Sequence, residues 1–171
     1  MKLNSKRTIL VGLAFLSICA FWQMYDSIVP LILTKTFHMN ETFSGAIMAA
    51  DNILALFLLP FFGSVSDKSH TKIGKRMPFI LFGTGCAIIL MNILPLLDNS
   101  YAAQPSGFKT ASFVIVLGLL LVAMGTYRAP AVALMPDVTP KPLRSRANAI
   151  INLMGAVGGI LYLGVAAVLY P

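Results

Sequence analysis

The sequence predicts an all-α, polytopic membrane protein of about five transmembrane helices. Three observations carry that prediction. The composition is 57% hydrophobic and only 11% charged, where soluble domains hold about 45–50% and about 25%. Apolar runs of helix-spanning length recur along the 171 residues, and about 20 such residues cross a hydrocarbon core of about 30 Å. The basic residues fall in short clusters between those runs, rich and poor in turn, which is a topology signal. The net charge of +7 does not indicate nucleic acid, because no basic patch with interleaved aromatics is present.

The expected spans are 8–33, 43–62, 77–97, 110–135 and 147–170. The first resembles a signal peptide at its start, with Lys2, Lys6 and Arg7 before the apolar run Ile9–Phe21. No A-x-A-like cleavage site follows. Leu16-Ser17-Ile18-Cys19 is a weak lipoprotein box, because Ile18 is too large. The run continues past Asp26 to Leu33, so it is expected to stay as an uncleaved helix. The second span ends at Gly63, where a turn or close packing is expected. The third opens on Met77-Pro78, and proline suits a first helical turn. The fourth ends near Met135. The fifth carries Gly155, Gly158, Gly159 and Gly164, expected to serve close helix packing.

Loop charge sets the expected orientation. One set of loops holds Lys2, Lys6 and Arg7, then Lys68, Lys72, Lys75 and Arg76, then Lys141, Arg144 and Arg146. The other holds Lys35 and Lys109. The positive-inside rule places the first set in the cytoplasm, so the N-terminus is cytoplasmic in a cell (inner or plasma) membrane. Five crossings then leave Pro171 outside, and an incomplete N-terminal portion is expected. Cys19 and Cys86 lie within apolar runs and are expected to be unpaired.

Three groups of residues point to chemistry. The connector Gly63-Ser64-Val65-Ser66-Asp67-Lys68-Ser69-His70-Thr71-Lys72-Ile73-Gly74-Lys75-Arg76-Met77-Pro78-Phe79 combines an acid with a Gly-Lys-Arg group. Tyr127-Arg128-Ala129-Pro130 leads into Pro136-Asp137 and Arg144-Ser145-Arg146, again beside a loop of the basic set. An ion-pair network among Asp67, Lys75, Arg76, Asp137 and Arg144 is expected, each exposed pair contributing about 0–1 kcal/mol. Asp26, Asp51 and Arg128 lie inside spans, where a charge costs at least about 2.5–3.5 kcal/mol and usually faces a cavity.

Asp26 and Asp51 are expected about 12 Å below the same surface by helix rise. A pair of carboxylates at one depth is a plausible cation site, for a proton or a sodium ion. Trp22, Tyr25, Asp26 and Val29 follow i, i+3, i+4, i+7 spacing, and Trp22 and Tyr25 offer the aromatic surface a sugar uses. Gln23 and Asn52 are weaker candidates. Arg128 lies deeper, with a substrate or gating role weighed against snorkelling. His38 and His70 read as solvated loop histidines. No phosphate loop, metal-ligand spacing or catalytic triad appears, so neither an enzyme nor an ATP-driven pump is expected.

The connector resembles the signature loop of the major facilitator superfamily, which links the second and third helices. Its long Asp67-to-Gly74 spacing and Gly-Lys-Arg-Met-Pro-Phe-Ile ending resemble the sugar–cation symporter branches, sucrose-transporter-like and glycoside–pentoside–hexuronide. The resemblance implies five helices of one six-helix half, with the C-terminal half absent. It implies a secondary active transporter working by alternating access, a small-molecule solute such as a sugar, and no cofactor beyond a coupling ion, H+ or Na+. It implies a conformational-switch role for Gly63, Asp67, Gly74, Lys75 and Arg76. The contrasting expectation is a non-transporting structural or regulatory membrane protein, or a remnant that needs a separate partner half.

Overall fold

The computed structural model describes residues 5–169. Five helices follow one another: α1 (Ser5–Lys35), α2 (Glu41–Lys68), α3 (Met77–Ala103), α4 (Gly107–Val138) and α5 (Arg144–Leu169). A single 3-10 turn, Lys141–Leu143, leads into α5. All five are long and apolar enough to cross a membrane.

Most of the helices outrun the apolar spans, because hydropathy marks only the part matched to hydrocarbon while backbone hydrogen bonding continues into the polar flanks. The largest correction is at α2. Gly63 does not end it; the helix runs on through Asp67 to Lys68, and Ser69 closes it by donating its N–H to the Ser66 carbonyl at 3.3 Å. Asn40 caps its start, its side chain accepting from the Thr42 N–H at 3.2 Å. Likewise α3 continues through Asp98, Asn99 and Ser100. Its start holds Pro78 in the first turn. α1 is stopped by His38 in the left-handed region (φ 51°), with the Met39 N–H closing on the Leu33 carbonyl at 3.0 Å. Prolines lie inside the helices at Pro30, Pro60, Pro95, Pro130 and Pro136. Each removes a helix hydrogen bond, which membrane helices tolerate when neighbouring groups compensate.

The helices group into two compact units. One joins α1 as far as Ser27 with residues from Ala131 onward, the end of α4 and all of α5. Here α1 and α5 meet through small residues. A Cβ at Gly158 would collide with the Leu16 carbonyl, and one at Gly155 would lie 2.9 Å from the Cys19 Sγ. Gly12 faces the Met154 thioether. Of the four α5 glycines expected to pack closely, Gly155 and Gly158 do so. Gly159 has ordinary contact distance to Gln23, and Gly164 has open space.

The other unit spans Ile28–Pro130. Its core is Leu33, Phe37, Leu94, Phe113, Leu117, Leu120 and Met124, all buried. α3 and α4 touch at backbone level: a Cβ at Gly83 would stand 2.9 Å from the Tyr127 backbone nitrogen. α2 meets α4 where Leu58 Cβ would lie 3.2 Å from a Cβ at Gly125. Phe43, Leu56, Phe57, Phe82, Ile89 and Ile115 point outward and are exposed, as a lipid-facing surface requires.

Candidate functional site

In the Ile28–Pro130 unit, Asp51 is buried at 6% exposure. It lies ten residues into α2, about 15 Å from its start by helix rise. Arg128 is half-buried on α4. The Leu58–Gly125 contact fixes the register of these two helices, which run in the same direction. Asp51 then lies seven residues to one side of the contact and Arg128 three to the other, a separation of about 15 Å along the axis. Asn52 is exposed beside Asp51.

On α1, Trp22 and Tyr25 form an edge-to-face pair with centroids 5.6 Å apart and planes at 74°. Tyr25 is wholly buried and Val29 nearly so, at 0% and 2% exposure. Asp26 is exposed. The single face expected for Trp22, Tyr25, Asp26 and Val29 is thus split. Adjacent helical residues point about 100° apart, so a stripe drawn wide enough to hold both Tyr25 and Asp26 straddles the boundary of the packed face. Gln23 is half-buried and its Oε1 lies near Gly159.

The α2–α3 connector holds the clearest polar geometry. Arg76 Nη2 and Asp67 Oδ1 form an ion pair at 2.8 Å. The Arg76 side chain is 9% exposed and that of Asp67 is 58% exposed. Arg76 Nη1 also donates to Ser66 Oγ at 3.4 Å, and Ser66 Oγ donates to the Gly63 carbonyl at 2.9 Å. Ser66 is fully buried. Gly63, Ser66, Asp67 and Arg76 therefore form one chain of contacts tying the end of α2 to the start of α3. Gly74 takes φ +106°, a conformation open to glycine and strained for other residues. Its N–H donates to the Thr71 carbonyl at 3.0 Å, and the Thr71 hydroxyl donates to the Gly74 carbonyl. Lys75 is exposed.

The expected ion-pair network is corrected at Arg144. Its Nη2 donates to the Pro136 carbonyl at 2.8 Å and its Nε to the Thr139 carbonyl at 3.3 Å. A cation at a helix C-terminus meets unsatisfied carbonyls and the negative end of the dipole, so Arg144 caps α4 instead of bonding a carboxylate. Asp137 is exposed in the last turn of α4. Sequence reasoning missed Ser66, because a buried serine hydroxyl ten residues before its arginine leaves no periodic signal. It also missed Lys109, whose Nζ donates to the Ser100 and Gln104 carbonyls at 2.7 and 2.9 Å. That cap was open to inference from a lysine just past the polar end of α3.

The helical order agrees with what comparison shows. The family model for the Major Facilitator Superfamily matches residues 11–171. The chain belongs to that superfamily. It is 34% identical over 152 residues to a sucrose transport protein of Arabidopsis thaliana, covering 82% of this chain and 25% of that one. It is 34% identical over 154 residues to a sucrose transport protein of Oryza sativa subsp. indica, covering 82% and 30%. A further sucrose transport protein, of Oryza sativa subsp. japonica, is 27% identical over 169 residues, covering 91% and 31%. The chain thus spans between a quarter and a third of the length of these curated relatives. No solved structure gives a significant match. With five membrane-length helices and this family membership, the chain is a multi-pass membrane protein of a transporter family.

Proposed function

We propose that this chain forms the N-terminal part of a sugar–cation symporter of the Major Facilitator Superfamily, working by alternating access. The observation that carries the reading is the similarity to sucrose transport proteins along 82% of the chain. Transporters of this kind place the solute between two helical halves near the bilayer midplane. Asp26 and Asp51 are the proposed carboxylates for the coupling ion, H+ or Na+. Trp22 supplies the aromatic surface for the sugar with Tyr25 packed edge-to-face behind it, and Arg128 a cation on the inner side of the cavity. The basic α2–α3 connector lies on the cytoplasmic side, with the N-terminus, in the cell membrane.

Within that reading the Asp67–Arg76 pair is a latch. An ion pair with one partner more than half exposed contributes little, about 0–1 kcal/mol, so breaking it once per cycle costs little. Gly74 and Lys75 belong to the same switch, with Asp137 in the last turn of α4 and Arg144 at the start of α5.

The test is uptake of radiolabelled sucrose and other sugars into proteoliposomes. It compares the chain alone with the chain joined to the C-terminal half of a sucrose-transporter relative. We expect gradient-dependent uptake by the joined protein alone. Asp26→Asn and Asp51→Asn each reduce it by about tenfold or more, equivalent to about 1.4 kcal/mol. Uptake indifferent to both substitutions removes the carboxylate assignment. No uptake of any sugar by the joined protein removes the sugar reading and favours a non-transporting role.

A further inference from the structure

The α2–α3 connector carries a positive surplus that its own fold leaves uncompensated. Asp67 is engaged by Arg76. Lys68, Lys72 and Lys75 are exposed, and among the described residues none of the three has a side-chain hydrogen bond or ion pair. A second observation is apolar. Ile73 is 65% exposed between these lysines. It and Lys72 occupy the two central positions of the Thr71–Gly74 turn, which the Gly74 N–H and the Thr71 hydroxyl close from both sides. The turn therefore presents one large hydrophobe and one cation at a preformed tip, with cations on either flank.

The depth of the tip follows from helix length. The apolar stretch 43–62 spans about 30 Å, and the six further residues of α2 to Lys68 add about 9 Å. The headgroup layer on each side of a bilayer is about 5–8 Å thick. Lys68 accordingly stands at the outer edge of the lipid headgroups, and the chain returns to the apolar span at Met77, so the tip between them faces that edge, where an exposed isoleucine and uncompensated lysines both find a matching environment. We propose that this tip docks on anionic phospholipid of the adjoining leaflet, Ile73 resting among the headgroups and Lys68, Lys72 and Lys75 contacting lipid phosphates. Each lysine near an anionic surface strengthens association by about fivefold, and a turn already closed loses little freedom on docking. The contact does not depend on which solute the protein carries.

The test uses the full chain reconstituted in phosphatidylcholine vesicles with and without phosphatidylglycerol. The first readout is the rate at which Lys68, Lys72 and Lys75 of the unaltered chain are acetylated, read by mass spectrometry. We expect labelling to be about fivefold slower with phosphatidylglycerol, and the protection to fade in high salt. The second readout is quenching by brominated lipid of a tryptophan introduced as Ile73→Trp in a Trp22→Phe background. Quenching is expected to rise with phosphatidylglycerol and to lose that rise in the Lys68→Gln/Lys72→Gln/Lys75→Gln variant. Equal labelling rates in the two vesicles overturn the proposal, whatever the folding of the tryptophan variant. Protection produced instead by inorganic phosphate in phosphatidylcholine vesicles overturns the lipid assignment.

Discussion

At one end of the Ile28–Pro130 unit, Phe37 stacks on Tyr101 with centroids 4.2 Å apart and meets Phe113 at 4.6 Å. Phe37 and Phe113 are buried there, and Lys109 caps α3 just beside them. At the other end, Arg76 holds Asp67 through an ion pair whose acid is more than half exposed. The first end is closed by ring packing, which is short-ranged and indifferent to salt. The second is closed by charge in a high-dielectric setting, which is weak and screened. The two ends should therefore respond differently to substitution and to salt.

The aromatic end should be the harder to lose. Phe113→Ala removes a wholly buried ring from between neighbours that cannot collapse fully, and should cost about 3 kcal/mol. Unfolding of the detergent-solubilised chain, followed by circular dichroism, measures this; a loss below about 1 kcal/mol would place the ring outside the core. Gly74→Ala comes next, at about 1 kcal/mol, because it imposes a Cβ on a positive-φ position with open space around it. If the same assay shows no change, the Thr71–Gly74 turn is not held in that conformation. Lys109→Met should cost about 0.3–1 kcal/mol by uncapping α3. Asp67→Asn should be smallest in stability, within about 0–1 kcal/mol, and its effect should shrink further in concentrated salt. A salt-independent loss above about 2 kcal/mol for Asp67→Asn would erase the contrast between the two ends.

Hydropathy made the five helices legible, because a bilayer demands the same apolar length at each crossing. It did not reveal where they end. Gly63 looked like a terminus because glycine is flexible, yet α2 continues past it with nothing near its Cα hydrogen to demand or forbid a turn. Asp67 and Arg76 were legible as chemistry because an acid and a Gly-Lys-Arg group share one short connector. Their partnership with Ser66 was not, since hydroxyl burial depends on how α2 leans on the connector. Arg144 was assigned to a carboxylate, and carbonyls at a helix end took it instead, a backbone acceptor that no side-chain pattern reports. Asp26 and Tyr25 were grouped by spacing, and the packing boundary of α1 ran between them.

Pro30 lies four residues beyond Asp26 in α1. Having no N–H, it cannot donate the usual helix hydrogen bond to the Asp26 carbonyl. Asp26 thus carries two kinds of acceptor oxygen, one on its side chain and one on its backbone, in the same turn of one helix. The helix is a hydrogen bond short in that turn and bends there at less cost than along the rest of α1.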